Sequence, residues 1–186
     1  MDGVLEELRR KLESQAGMLT RALDGVTEEQ FTRAPGETAP PIGWHLWHIA
    51  RWGDRFQATL RDRESPREIW VIDGIAEASG LDASALGVLQ LGMGMDAKVA
   101  QSLPGAIGKD RFVAYLAEVL SALQAAVGES DVSELLTPRL SMREYGMVGG
   151  VLQLAPAQES TLFADLVFHI THAGQHYGSV DALRGL

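Results

Sequence analysis

The sequence predicts an all-α protein, a four-helix bundle with a long crossover region of short helices between the second and third long helices. Apolar residues recur at three- and four-residue steps in four segments, 3–23, 43–61, 109–127 and 162–183. The composition, 46% hydrophobic and 22% charged, is that of an ordinary globular protein. Because 186 residues is the usual size of one domain, we expect a single domain over residues 1–186.

The first predicted helix ends at Asp24-Gly25, and Thr27 opens a short helical turn after it. A loop over 34–42 contains three prolines and leads into the second long helix. That helix is rich in aromatic and histidine side chains. They are Trp44, His45, Trp47, His48, Trp52 and Phe56.

A connector over 62–73 follows, and glycines then interrupt residues 74–108. This pattern favours two or three short helices over a domain boundary. Beyond the third long helix, residues 128–157 are predicted to be irregular. Within them, residues 147–152 fit either a short strand or an apolar loop, and periodicity does not choose between the two.

Charge and cysteine content exclude several functional classes. The formal net charge is −9, without a basic stripe, which argues against binding to nucleic acid or to an anionic membrane surface. The chain has no cysteine, so disulfides, thiolate metal sites and a cysteine nucleophile are excluded. Neither a signal peptide nor a run of about 20 apolar residues is apparent, and we expect a cytoplasmic protein.

The last long helix carries a stripe of three histidines. His169, His172 and His176 are three and four residues apart, and with Asp165 and Val180 they fall within a helical sector of roughly 80°. Neighbouring leucines place this sector towards the core. Buried imidazoles each need a hydrogen-bond partner, and one shared metal ion would satisfy them together.

The second long helix can supply a further ligand. His172 and His176, spaced i and i+4, form the best pair, and a histidine from a facing helix would complete a site with open coordination positions. His48 is the favoured partner, yet the helical wheel does not separate it cleanly from His45. His45 lies nearer the middle of the apolar face, and His48 lies at its edge.

These residues resemble a known family. Residues 41–51 read PIGWHLWHIAR, residues 172–179 read HAGQHYGS, and the chain closes with LRGL. Together they resemble the DinB-like (YfiT-like) metal-binding bundles over nearly the whole chain. The resemblance implies a histidine triad at His48, His172 and His176. His169 is additional, so a set of four ligands stays open.

The resemblance also implies a divalent metal, with zinc or nickel favoured, and a low-molecular-weight thiol as cosubstrate. Relatives include transferases that use bacillithiol, glutathione or mycothiol, and a mycothiol-dependent maleylpyruvate isomerase. We therefore expect a thiol-dependent S-transferase or isomerase acting on a small molecule. Relatives also form dimers, and the apolar segment 148–154 is a candidate interface for a homodimer.

Two other functions remain open, a metal-dependent hydrolase and a non-catalytic metal-binding stress protein. Asp165 and His169 are the candidate catalytic residues, and Glu144 is a further candidate base for hydrolysis. Asp165 would instead orient a histidine or cap its helix. The residues expected to line a substrate cavity are Trp44, His45, Trp52 and Arg55. For Arg51 and Arg55 the alternatives are binding of an anionic substrate and simple exposure to solvent.

Overall fold

The computed structural model describes residues 2–140, 145–148, 151–154 and 159–185. Its four long helices lie where the periodicity predicts them, which confirms the all-α bundle. In chain order the elements are α1 (Asp2–Leu23), α2 (Glu28–Thr32), α3 (Ile42–Arg61), α4 (Ile69–Ile72), α5 (Ile75–Ala78), a 3₁₀ turn (Ala83–Ala85), α6 (Ala97–Ile107), α7 (Lys109–Glu129), α8 (Val132–Leu136), β1 (Arg139–Leu140), β2 (Tyr145–Val148), β3 (Val151–Leu154), β4 (Glu159–Ser160) and α9 (Leu162–Arg184).

The predicted turn after Thr27 is α2, which lies before α3. It begins with a capping box: the Thr27 hydroxyl accepts from Gln30 N, and the Gln30 side chain accepts from Thr27 N.

The crossover between α3 and α7 contains the expected short helices. Residues 74–108 hold α5, the 3₁₀ turn and α6, as predicted. The connector over 62–73 also contains α4, which the sequence pattern did not indicate.

The described part of residues 128–157 contains more regular structure than predicted. This segment contains α8 and the antiparallel pair β2–β3, in which Tyr145 lies opposite Leu154 and Val148 opposite Val151. β1 pairs with β4, which lies just before the start of α9. Residues 147–148 and 151–152 lie in strands, which confirms the strand alternative at the two ends of segment 147–152. Residues 149–150 and Glu144 lie outside the described residues, so the candidate dimer segment 148–154 is described only in part.

Helix α3 is the centre of the bundle. It packs against α7 and α9, and the crossover elements α4 and α6 also contact it. Buried side chains therefore surround it, with Trp47 and Phe56 fully inaccessible to solvent. Crossover elements therefore cover a side of α3 that carries charged residues. This enclosure buries Arg51 and Asp54 completely.

A tight loop in the crossover closes over α3. We call residues 86–93 the crossover loop; Val88 and Met93 form an isolated antiparallel bridge in it, and Gly92 N donates to Leu86 O at 2.9 Å. Gly87 has φ +78°, and a Cβ there would lie 2.5 Å from Met93 O. Only glycine fits such a position, because it lacks the atom that would collide.

Helix α7 is long and apolar enough to cross a membrane by length and composition. A helix at the core of a bundle passes the same test. In this fold, the side chains of Phe112, Leu116, Val119 and Leu123 on α7 are buried within the bundle. The packing thus accounts for the apolar character of the helix.

Candidate metal centre

Three histidines from two helices meet at the junction of α3 and α9. One ring nitrogen from each of His48, His172 and His176 lies within 4.8 Å of the others. His48 comes from α3, and the other two come from successive turns of α9, with their Nε2 atoms 3.0 Å apart. His48 is buried and the α9 pair is half-buried, so the group has one side near the surface.

The orientation of His48 is fixed by the crossover loop. Its Nδ1 is hydrogen-bonded to the backbone carbonyl of Leu91. Because a carbonyl can only accept, the ring must donate its Nδ1–H, which leaves a free lone pair on Nε2. The Trp44 indole stacks on the same imidazole, with ring centroids 5.0 Å apart and an interplanar angle of 6°. His48 is thus held in one tautomer and one plane.

His45 does not join the three nitrogens but contacts one of their rings. Its Nδ1 lies 2.8 Å from Nδ1 of His176. If Nε2 of His176 binds a metal, its Nδ1 carries the hydrogen and donates to His45. An outer acceptor of this kind fixes the ring and raises its basicity as a ligand. The geometry therefore gives His45 the position of an orienting partner.

All five histidines lie in surroundings that favour the neutral ring. Burial lowers the pKa of His45 to about 4. Burial, followed by the charges of His172 and His45, lowers the pKa of His176 to about 3. Burial also lowers the pKa of His172, and lowers that of His48 well below its usual value with help from the neighbouring rings. Neutral imidazoles are the form that ligates metal, so protons compete weakly at pH 7.

The candidate catalytic residues Asp165 and His169 lie deep in the bundle. Asp165 is fully buried and accepts a hydrogen bond from the Ser160 hydroxyl at 3.0 Å. His169 is 2% exposed, and its Nε2 accepts from the Gln15 amide at 3.3 Å. Burial and then the charge of His172 lower the pKa of His169 to about 3. The stripe on α9 faces the core as predicted.

The residues predicted to line a cavity separate into two groups. Trp44 and His45 lie directly against the triad. Trp52 is buried one turn further along α3 against Phe56, with ring centroids 6.1 Å apart. Arg55 pairs with Glu68 at 2.7 Å and is not a free cation.

Arg51 is buried and paired with two carboxylates. Its guanidinium is fully buried and pairs with Asp54 at 2.8 Å and Glu68 at 2.5 Å. Tyr115 donates its hydroxyl to the same Asp54 carboxylate at 3.0 Å. The alternative of simple exposure to solvent was wrong for Arg51, because the crossover packs over this side chain.

The donor set fits a divalent metal ion. Imidazole nitrogens about 2.05 Å from a tetrahedral zinc lie about 3.3 Å apart, close to the 3.0 Å between the Nε2 atoms of His172 and His176. The widest spacing in the group, up to 4.8 Å, would have to contract by about 1.5 Å on binding. Three protein nitrogens leave at least one position for another ligand.

Comparison with known proteins agrees with this architecture. Residues 11–180 match the sequence profile of the DinB superfamily. The chain belongs to the DinB superfamily. The crystal structure of a conserved Enterococcus faecalis protein has a similar fold, with a TM-score of 0.65 at 16% identity, covering 96% of this chain and 94% of that one. No curated protein matches the chain.

Within this DinB superfamily fold, the sequence did not reveal the outer partners of the triad. The Leu91 carbonyl is a backbone group and leaves no side-chain signal. The one available sign was the close spacing of Gly87, Gly92 and Gly94, which marked a tight turn but not its target. The ion pair between Arg51 and Glu68 spans 17 residues, so helical periodicity could not show it either.

Proposed function

We propose that this DinB superfamily protein is a metal-dependent enzyme that binds a divalent ion, zinc or nickel, through His48, His172 and His176. The convergence of one nitrogen from each ring within 4.8 Å carries the proposal. Such a site supplies Lewis-acid chemistry at its open position, where a bound thiol or water becomes more acidic. The half-buried α9 pair keeps that position near the surface.

The reaction we favour is S-transfer or isomerisation with a low-molecular-weight thiol. A transfer forms one carbon–sulfur bond, the leaving group departs with its electron pair, and the thiol proton goes to solvent. With no cysteine in the chain, the sulfur must come from a cosubstrate. The aromatic rings beside the triad, Trp44 on His48 and Phe168 on His172, provide an apolar wall for the carbon skeleton of a substrate.

Hydrolysis ranks second because it requires a general base beside the open position. Asp165 is fully buried and engaged with Ser160, and His169 is buried and engaged with Gln15. Neither group is placed to receive a proton from a water at the surface-facing side of the triad. A thiol needs less help, since its own pKa lies much closer to 7 than that of water.

Buried N–H groups without partners support a small-molecule substrate with acceptor atoms. In the described part of the chain there are three, Trp47 Nε1, Trp52 Nε1 and His169 Nδ1. The rings of Trp52 and His169 both pack on Phe56, with centroids 6.1 Å and 5.3 Å away. Buried donors are normally satisfied, so a polar ligand or a water is the expected partner.

We further propose a cytoplasmic homodimer that binds neither nucleic acid nor membrane, in keeping with the net charge of −9.

Elemental analysis of the purified protein tests the metal site. Wild type should contain about one zinc or nickel per chain, and His172→Ala should contain almost none. His169→Gln is the matched control, because it removes an imidazole from the same face of α9 and leaves the triad intact. Wild type that is metal-free and refuses added metal would rule out the site.

Thiol consumption then tests the chemistry. Metal-loaded wild type is assayed against a panel of thiols and electrophiles, with His172→Ala as the blank. Turnover lost in the variant supports transfer. Metal binding without any thiol consumption would reject it and favour the non-catalytic metal-binding role, and ester or amide cleavage would favour the hydrolase.

A further inference from the structure

The buried Arg51 side chain holds the crossover loop as well as its two acidic partners. Its Nε donates to Gln90 O at 3.0 Å, and its Nη2 lies 3.4 Å from Leu89 O. The guanidinium therefore binds two successive backbone carbonyls of the loop, those of Leu89 and Gln90. Arg51 lies three residues after His48, one turn along the same face of α3, so both side chains reach the same loop.

The loop has a backbone that needs such support. Leu89 and Gln90 both adopt left-handed conformations, with φ of +52° and +53°. For residues with a Cβ this conformation is unfavourable, and it persists only where surrounding contacts impose it. The Trp70 indole adds a second restraint, donating to the Gln90 side chain at 2.8 Å.

The next carbonyl along the loop, that of Leu91, accepts the Nδ1–H of His48. Three consecutive carbonyls, of residues 89–91, thus face α3, two taken by Arg51 and the third by His48. If Arg51 released its two, the backbone could relax to negative φ and the Leu91 carbonyl would turn away. His48 would then lose the contact that selects its tautomer.

We propose that Arg51 is a positioning residue for the metal centre, acting through the crossover loop to hold the Leu91 carbonyl against His48. The inference rests on the proposed function in that it assigns His48 as a ligand. Asp54 and Glu68 fix the guanidinium, and Asp54 is itself held by the backbone amides of Ile69 and Trp70, each at 2.9 Å. The buried ion pairs thus orient the arginine fork towards the loop.

Arg51→Lys tests the proposal, with Arg55→Lys as its matched control. Both substitutions lie on α3 and keep a positive charge beside Glu68. In wild type, however, Arg51 donates to the loop carbonyls, whereas Arg55 donates to Glu68. The first readout is ¹⁵N NMR of histidine in metal-free protein, which reports the tautomer of each ring. Wild type and Arg55→Lys should show His48 protonated at Nδ1, and Arg51→Lys should show a mixture of tautomers.

The second readout is Co²⁺ affinity by optical titration. Arg51→Lys should bind about 10- to 100-fold more weakly, the usual effect of removing an outer partner of a metal ligand. Arg55→Lys should bind as wild type. An unchanged tautomer and affinity in Arg51→Lys would overturn the proposal. So would equal losses in both variants, because they would indicate a general effect of the ion pairs on stability.

A second variant covers the case in which Arg51→Lys does not fold. Glu68→Gln keeps Arg51 but removes one of the two carboxylates that orient its guanidinium towards the loop. It should show the same tautomer change with about a tenfold loss of affinity, and wild-type behaviour would count against the proposal. Wild type that binds no metal would reject the proposed function, whereas the NMR measurement still tests the role of Arg51.

Discussion

Replacement of Gly92 should disturb the candidate metal centre directly. Gly92 is buried at φ +84°, and a Cβ there would lie 3.0 Å from Trp47 Cζ3, 3.1 Å from Trp44 Cζ2 and 3.1 Å from His48 Nδ1. Gly92→Ala therefore crowds the ring that binds the Leu91 carbonyl and the indole stacked upon it. A left-handed alanine costs about 1–2 kcal/mol, and overpacking adds about 1–3 kcal/mol.

Gly80→Ala separates these two contributions. Gly80 has φ +66°, and a methyl group added there would meet nothing within 4 Å, so its substitution carries the backbone cost alone. In urea unfolding, Gly92→Ala should lose about 2–5 kcal/mol and Gly80→Ala about 1–2 kcal/mol. Displacement of His48 should also weaken Co²⁺ binding about 10- to 100-fold in Gly92→Ala only. Equal stabilities together with wild-type binding would refute the reasoning.

Three further predictions follow from single contacts. His45→Ala removes the acceptor for His176 and should lower metal affinity about tenfold in a competition titration, with the stoichiometry unchanged. Burial lowers the pKa of His169 to about 3 in the folded protein, so the unfolded chain is protonated first as the pH falls. The free energy of unfolding of the metal-free protein should therefore be flat above pH 6.5 and fall below it. Between pH 7 and pH 5 this group alone accounts for about 2 kcal/mol, measurable by urea unfolding. Gly43→Ala puts a methyl 2.5 Å from the Pro104 side chain and should destabilise the α3–α6 contact by about 1–3 kcal/mol in the same assay.

Each of these has an outcome that would contradict it. Loss of the metal itself in His45→Ala would make His45 a ligand instead of an orienting partner. An unfolding free energy that stays constant from pH 7 to pH 5 would contradict the burial of a neutral His169. Gly105→Ala is the control for Gly43→Ala, because its methyl meets only Thr32 Cγ2 at 3.9 Å and helical alanine is favoured over glycine. Equal destabilisation of both variants would show that crowding is not the cause.

The bundle and the pairing of His172 with His176 could be predicted because both depend on local periodicity. A spacing of four residues places two side chains on one helix face wherever that helix packs. The wheel could not choose between His45 and His48, since that depends on how far α3 is rotated against α9. In the fold, one ring nitrogen of His48 lies within 4.8 Å of those of the α9 pair, whereas His45 contacts Nδ1 of His176.

The sequence by itself determined the four helices, the absence of any thiol ligand and the histidine stripe that faces the core. Each follows from residue type and from spacing within one helix. Only the tertiary structure decided what surrounds α3. The crossover folds back over α3, buries Arg51, and brings the Leu91 carbonyl to His48 across 43 residues of sequence. Backbone acceptors and long-range ion pairs of this kind arise from chain topology, which residue periodicity does not encode.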